Sequence, residues 1–292
     1  MSGTLYLLPN LISEGTLGAA IPPLVLERVR SVRVFFVEAA KTARATLKLY
    51  GHPGPIANLA ITEIGHDPDP ASVDAWLAPV LAGEDAAVLS ESGCPGIADP
   101  GAQIVARAQE LGVRVVPWVG PSSILMTLMA SGLDGQRFRF TGYLPVHADE
   151  RREAVKGLEA ASRASETQLF IETPYRNGAM LSTLLETLHP ETRLCVATDV
   201  TGASESIRTL TVRAWKALPE DARTLPKLPT VFALLARPSA APPRYAPDAA
   251  GKTSQKTVKT LKTLKTAGSK PKKPFHASKP KTPARGNPKA RR

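Results

Sequence analysis

The stretch 86–101 constrains this chain most. Ala86-Ala87-Val88-Leu89 is a short, continuous apolar run bounded by breakers. Such a run reads as a strand buried on both faces of a parallel sheet. A helical pattern follows over 102–111. Between them, residues 93–101 hold three glycines and two prolines in nine positions. A segment of that composition can be neither helix nor ladder. It must leave the carboxyl end of the strand as a shaped loop, and open α/β sheets take their ligands there. Glycines let a backbone approach a ligand closely, and prolines hold the loop's course. Without a ligand, the same loop is a tight connection and nothing more.

The flanking elements agree with a parallel sheet. Thr4-Leu5-Tyr6-Leu7-Leu8 reads as a first strand and Val34-Phe35-Phe36-Val37 as a second, with Glu38 at its carboxyl end. Residues 113–117 read as a further strand. Helices are expected from Pro22 and Pro23 to Val29, from Lys41 to Tyr50 with Gly51 as stop, and from a Ser72 cap to Leu81. Strand alternating with helix predicts an open parallel α/β domain over 1–118. A second α/β domain with a mixed sheet is expected over 119–237. Its helix opens at Gly120-Pro121-Ser122-Ser123, and strands are expected near 138–141, 168–172, 194–197, 207–212 and 231–235.

Charge divides the chain differently. Residues 238–292 carry fifteen Lys and Arg against a single acid, Asp248, a net +14. Residues 1–237 carry 22 basic and 25 acidic residues, a net −3. The whole basic excess therefore lies in a Lys-, Pro-, Ala- and Thr-rich tail. That tail lacks the bulky apolar residues a packed core needs, so it is read as disordered. Two cysteines, Cys94 and Cys195, cannot build a disulfide framework or a four-thiolate metal site. The chain is expected in a reducing cytoplasm. The amino terminus has no basic residue before its short apolar stretch and does not read as a secretory signal. No run is long enough to span a membrane. No HExxH, zinc-spaced Cys/His cluster or phosphate-loop motif occurs, so no metal is expected. The five histidines are read as solvated.

Four segments then recur in a telling order: Ser90 to Gly101, Val119 to Ser123, FRFTGYLP at 138–145 and FIETPYR at 170–176. Together they resemble the tetrapyrrole methylase superfamily, which uses S-adenosylmethionine (SAM). Within it they look most like the branch that methylates a cytidine ribose 2′-oxygen in small-subunit ribosomal RNA. The resemblance runs from about Gly3 to Leu235. It implies a SAM site in a cleft between two domains. Gly93, Cys94, Pro95, Ile97 and Ala98 would line that site, with Ser122 and Ser123 at the next helix. Tyr143, Leu144 and Pro145 would pack on the adenosine part, and Pro229 and Thr230 would close it. For Tyr143 and Leu144 the other reading is plain core packing. On the acceptor side the resemblance points to Asn10, Arg44, Glu172 and Arg176, and Glu172 and Arg176 are placed to pair with each other. There the sequence departs from the branch. Glu91-Ser92-Gly93-Cys94-Pro95 stands for Asp-Ala-Gly-Thr-Pro, and Glu38-Ala39-Ala40-Lys41 stands for Glu-Asp-Thr-Arg.

Methyl transfer to a hydroxyl needs positioning and a base. Glu38 and Glu91, each at the carboxyl end of a strand, are the candidate bases. Either could instead cap a helix or pair with Arg44 or Lys41. Three functions fit these features. The first is a SAM-dependent methyltransferase of ribosomal RNA, as a homodimer, with RNA on the cleft and on the basic tail. The second is a methyltransferase of a tetrapyrrole or another small molecule. The third is a non-catalytic nucleic-acid-binding protein on a methylase scaffold.

Overall fold

The computed structural model describes residues 2–236. The expected disorder of 238–292 lies outside the described residues.

Strands β1 (Thr4–Leu8), β2 (Val34–Val37), β3 (Ala60–Glu63), β4 (Ala86–Leu89) and β5 (Arg114–Pro117) form one sheet in the order β3-β2-β4-β1-β5. All its pairings are parallel. Each parallel return requires a crossover, and helices supply them: α2 (Pro23–Val29), α3 (Ala40–Leu49), α4 (Pro70–Leu81) and α5 (Gly101–Glu110), with the single-turn α1 (Leu17–Ala20) before them. Alternate residues of a strand face opposite sides, and both sides are covered. Leu8, Phe35, Val37 and Leu89 pack with Val25 and Leu47. Leu5, Val34, Phe36 and Val88 pack with Leu77 and Ile104 on the other face. Phe35 and Phe36 are both buried. Burying each contributes about 1.5–3 kcal/mol.

The second sheet has the order β6-β7-β10-β8-β9, from β6 (Phe138–Tyr143), β7 (Thr167–Glu172), β8 (Arg193–Thr198), β9 (Ser206–Thr211) and β10 (Thr230–Leu235). Only the β6–β7 pairing is parallel. The last strand in sequence lies at the centre. Helices α7 (Ala148–Ser162), α8 (Asn177–Thr187) and α9 (Val212–Ala217) cover one face around Phe170, Phe232 and Leu184. Helix α6 (Ser123–Ser131) brings Leu128 to the other face, against Leu169, Cys195 and Val231. The expected fold class, a parallel α/β sheet followed by a mixed-sheet α/β half, is the one observed.

Four local expectations are corrected. Asp69, not Ser72, caps α4: its carboxylate accepts from the Ala71 amide at 3.0 Å and from the Ser72 hydroxyl at 2.8 Å. Pro70 fills the first helical position, where a missing N–H costs nothing, so the helix starts earlier than expected. Strand β3 adds a fifth strand to the four expected in the parallel sheet. It is a half-exposed edge strand, and its apolar signal is correspondingly weak. Val212, read as the end of a strand, begins α9, because the Thr211 hydroxyl accepts from the Ala214 amide at 3.2 Å and caps the helix. His52, read as solvated, is buried, with its Nε2 3.0 Å from the Val32 carbonyl.

Candidate active site

The Ser90 to Gly101 loop leaves β4 in the middle of the parallel sheet and is braced from within. The Asp99 carboxylate accepts from the amides of Gly96 (2.9 Å) and Gly101 (2.8 Å). A Cβ on Gly101 would lie 2.6 Å from both Asp99 Oδ1 and Val88 Cγ1, so only glycine fits. Gly93 has φ +70°, a conformation that L side chains seldom adopt.

The loop is also tied to the one after β1. The Asn10 amide donates to the Gly93 carbonyl at 2.8 Å. The Asn10 side chain donates to the carbonyls of Ser90 (3.1 Å) and Glu91 (2.9 Å) and accepts from the Leu11 amide (2.8 Å). Asn10 is buried, and its groups are spent on the chain. It holds the loop rather than facing a ligand. Below it, the Tyr50 hydroxyl donates to the Pro9 carbonyl at 2.9 Å, and burial pushes that phenol's pKa well above its ordinary range.

Beside this loop a cleft of about 340 Å³ opens between the two sheets. Ser92, Ile97 and Ala98 line it from the loop, and Ile12 from the segment after β1. Ser123 and Ile124 at the start of α6, Tyr143 at the end of β6, Glu172 to Pro174 at the end of β7 and beyond it, and Pro229 to Val231 at the start of β10 complete most of the wall. Ile97, Ala98, Ser123, Tyr143, Glu172, Pro229 and Thr230 are thus brought together. Gly93 and Pro95 are buried beneath the wall, and Cys94 lies behind it, with its thiol donating to the Pro121 carbonyl at 3.3 Å. Burial raises the Cys94 pKa, which opposes a thiolate. Ser122 caps α6 through the Leu125 amide at 3.4 Å. Leu144 belongs to the second core, as its packing reading has it, while Tyr143 is 61% exposed at the mouth.

Glu172 and Arg176 do pair, at 2.7 Å. The carboxylate is fully buried and also accepts from the Thr173 amide at 2.6 Å. The same guanidinium nitrogen reaches the Leu144 carbonyl at 3.3 Å and the Pro145 carbonyl at 3.5 Å. One ion pair therefore fixes the turns after β6 and β7, both on the cleft.

The candidate bases differ. Glu91 is exposed. The Glu38 side chain is only 15% exposed, and its Oε1 lies 2.6 Å from Nδ1 of His66, which is 87% exposed. Burial raises the Glu38 pKa. His66 opposes the rise, Asp99 and Glu91 add to it, and the Glu91 amide opposes it. Neither Arg44 nor Lys41 is the partner of Glu38; both are exposed on α3. Glu38, Glu91 and Arg44 are all outside the set of residues that line the cleft.

Reading the sequence missed His66, Ile12 and the 199–202 turn. The Ser13 hydroxyl meets Asp199 Oδ1 (3.1 Å) and the Val200 carbonyl (3.0 Å), which sets Val200 on the cleft wall. Only the glycine of Asp199-Val200-Thr201-Gly202 signalled a turn there. Among the described residues, no group of three or more His, Cys, Asp or Glu could hold a metal ion, and no helix is long and apolar enough to cross a membrane.

The model of the Tetrapyrrole (Corrin/Porphyrin) Methylases family matches residues 19–216. The Ribosomal RNA small subunit methyltransferase I of Escherichia coli O157:H7 is 33% identical over 205 residues, covering 70% of this chain and 68% of that protein. The protein of the same name from Pseudomonas aeruginosa is 32% identical over 190 residues, covering 65% of this chain and 64% of that protein. This chain therefore spans slightly less than two thirds of that second relative. In fold, a conserved hypothetical protein of Aeropyrum pernix K1 is similar at TM-score 0.58 and 17% identity, covering 89% of this chain and 98% of its own. With the glycine-proline loop seated at the head of a two-sheet cleft and the family model matching across both sheets, this chain belongs to the tetrapyrrole methylase family.

Proposed function

We propose that the protein is a SAM-dependent methyltransferase acting on small-subunit ribosomal RNA, with ribose 2′-O-methylation as its reaction. The observation that carries this is the cleft itself, walled by the 90–101 loop on one side and by the ends of β6, β7 and β10 on the other. The names and identity of the curated relatives support the RNA acceptor.

The wall suits SAM chemically. Its volume lies in the roughly 300–1,000 Å³ range of small-molecule sites. Ile97, Ile124, Ile171 and Val231 offer apolar surface to a purine. The first amides of α6, on Ser123 and Ile124, lie where no helical carbonyl reaches, which suits a carboxylate. Ser92 adds a hydroxyl. Gly93, Cys94 and Pro95 act from behind, by shaping the loop. When bound, SAM supplies an electrophilic methyl group on a sulfonium. The chain's part is to orient donor and acceptor and to take the hydroxyl proton. Glu38 is assigned as the base ahead of Glu91, because it is the shielded one and His66 offers the proton a way to solvent.

On this reading the enzyme needs no metal and works in the cytoplasm as a homodimer. RNA contacts the cleft side, Arg44 and the basic tail. The two α/β domains divide at 118/119, and the tail begins at 238. The two-sheet arrangement supports the domain division, and the +14 charge of 238–292 supports RNA contact by the tail. The test is methyl transfer from labelled SAM to small ribosomal subunits, with the modified nucleoside identified by mass spectrometry. Label on a ribose is the expected result. No transfer to the subunits, or label that is not on a ribose, would overturn the reading.

A further inference from the structure

We propose that Tyr175 and Lys227 form a stacking platform for an unpaired RNA base beside the cleft, with the lysine taking a neighbouring phosphate. The proposal rests on the RNA reading above and names where that RNA would be held.

Tyr175 is 81% exposed, more than a ring that served the core would be. Yet it is not on a loose loop. It sits in the middle of a single 3-10 turn, Pro174–Arg176. Pro174, the residue before it, lines the cleft. Arg176, the residue after it, is anchored to buried Glu172 and to the Leu144 carbonyl, and its own amide donates to the Thr173 carbonyl at 2.9 Å. The backbone is pinned on both sides of a side chain left in solvent.

Lys227 is set in the same way. Its ammonium lies 5.7 Å from the centroid of the Tyr175 ring. Its neighbours are pinned by Asn177, whose amide donates to the carbonyls of Pro226 (3.3 Å) and Leu228 (2.8 Å). Asn177 follows Arg176, so one corner of the fold holds both segments together. Two residues further along the Lys227 segment, Pro229 enters the cleft wall.

A rigid, exposed aromatic ring with a cation over one face matches the way single-stranded nucleic acid is held. Bases stack on the ring regardless of sequence, and the cation meets the backbone. The charge distribution favours this occupant. Residues 1–237 are net negative, so RNA near the cleft depends on local cations placed against that background. When a nucleotide is drawn out of its stack to bring its ribose into the cleft, a ring at the rim replaces the stacking its neighbour loses.

The test uses the full chain, SAM and purified small ribosomal subunits. Tyr175→Ala should raise KM for subunits roughly five- to hundredfold, the range set by one base–aromatic stack. The saturating rate, the SAM Kd and the Tm should stay at wild-type values, because the ring is exposed and outside the cleft wall. Tyr175→Phe and Tyr175→Trp should restore KM. Lys227→Gln should lower the salt slope of RNA binding by about 0.7–0.9, the worth of one phosphate contact. A wild-type KM in Tyr175→Ala, with wild-type enzyme active on subunits, would overturn the platform and leave the RNA reading standing. A raised SAM Kd would reassign the ring to the donor, and a loss tracking a lowered Tm would make it structural; both overturn the proposal. If wild-type enzyme binds SAM but transfers nothing to the subunits, the RNA reading fails and the platform with it.

Discussion

His66 Nδ1 lies 2.6 Å from Glu38 Oε1, across the carboxyl ends of two neighbouring parallel strands. The carboxylate is shielded and the imidazole is open to water. A proton accepted at Glu38 therefore has an immediate partner that solvent can relieve.

That relationship predicts a pH profile. Burial raises the Glu38 pKa, so methyl transfer should lose rate with falling pH at a limb above the ordinary carboxylate range. His66 lowers that pKa, so His66→Ala should move the limb to still higher pH. Glu38→Gln should cut the saturating rate about 10²–10⁴-fold while leaving SAM affinity alone. The folded-state pKa is raised, so ionised Glu38 costs stability above it, and the cost disappears as pH falls through it. Glu38→Gln should thus raise Tm at alkaline pH and not at low pH. Rate profiles and melting curves across pH check all of these. An unmoved limb in His66→Ala would remove the histidine from the reaction.

Arg176→Met should destabilise the fold by about 3–5 kcal/mol, because it strands a buried carboxylate. Adding Glu172→Gln should recover much of that loss, since the amide oxygen can still accept from the Thr173 amide. Denaturant titration of the two single variants and the double variant measures the coupling. Additive effects would mean that the pair holds nothing.

Gly93→Val should weaken SAM binding and lower stability by about 1–2 kcal/mol through its left-handed backbone. A Cβ there would meet Ile12 Cγ2 at 3.4 Å and the Pro121 carbonyl at 3.6 Å. The space is tight but not forbidden, so the variant should still fold. The disturbance reaches the cleft through Ser92 and Ile12. Calorimetric SAM titration of the folded variant checks this, and unchanged affinity would separate the loop's shape from donor binding.

Removing residues 238–292 should flatten the salt dependence of RNA binding and leave SAM affinity unchanged. The tail holds +14 against −3 for the remainder. If about six of its charges meet phosphates, full-length binding should fall on the order of a thousandfold between about 50 and 200 mM salt. Binding isotherms at several salt concentrations compare the two forms. Equal slopes would make the tail a bystander.

The parallel sheet without its edge strand β3, the loop after β4 and the mixed second sheet are all legible in the sequence. Each is written in neighbouring residues: the unbroken AAVL and VFFV runs of strands buried on two faces, and the glycines and prolines that end them. The sequence also placed Glu38 at a strand end and Glu172 four residues before Arg176, a spacing that already suggests a pair. Which groups meet across long separations follows from packing alone. The partner of Glu38 is His66, from another strand's loop, and not the nearby Lys41 or Arg44. Asn10 serves the central loop rather than a ligand, because parallel pairing sets β1 beside β4. Ser13 meets Asp199, 186 residues away, and so brings Val200 to the cleft. Local propensity carries no record of such contacts. They follow from strand order, and strand order is chosen by the burial of both sheets at once.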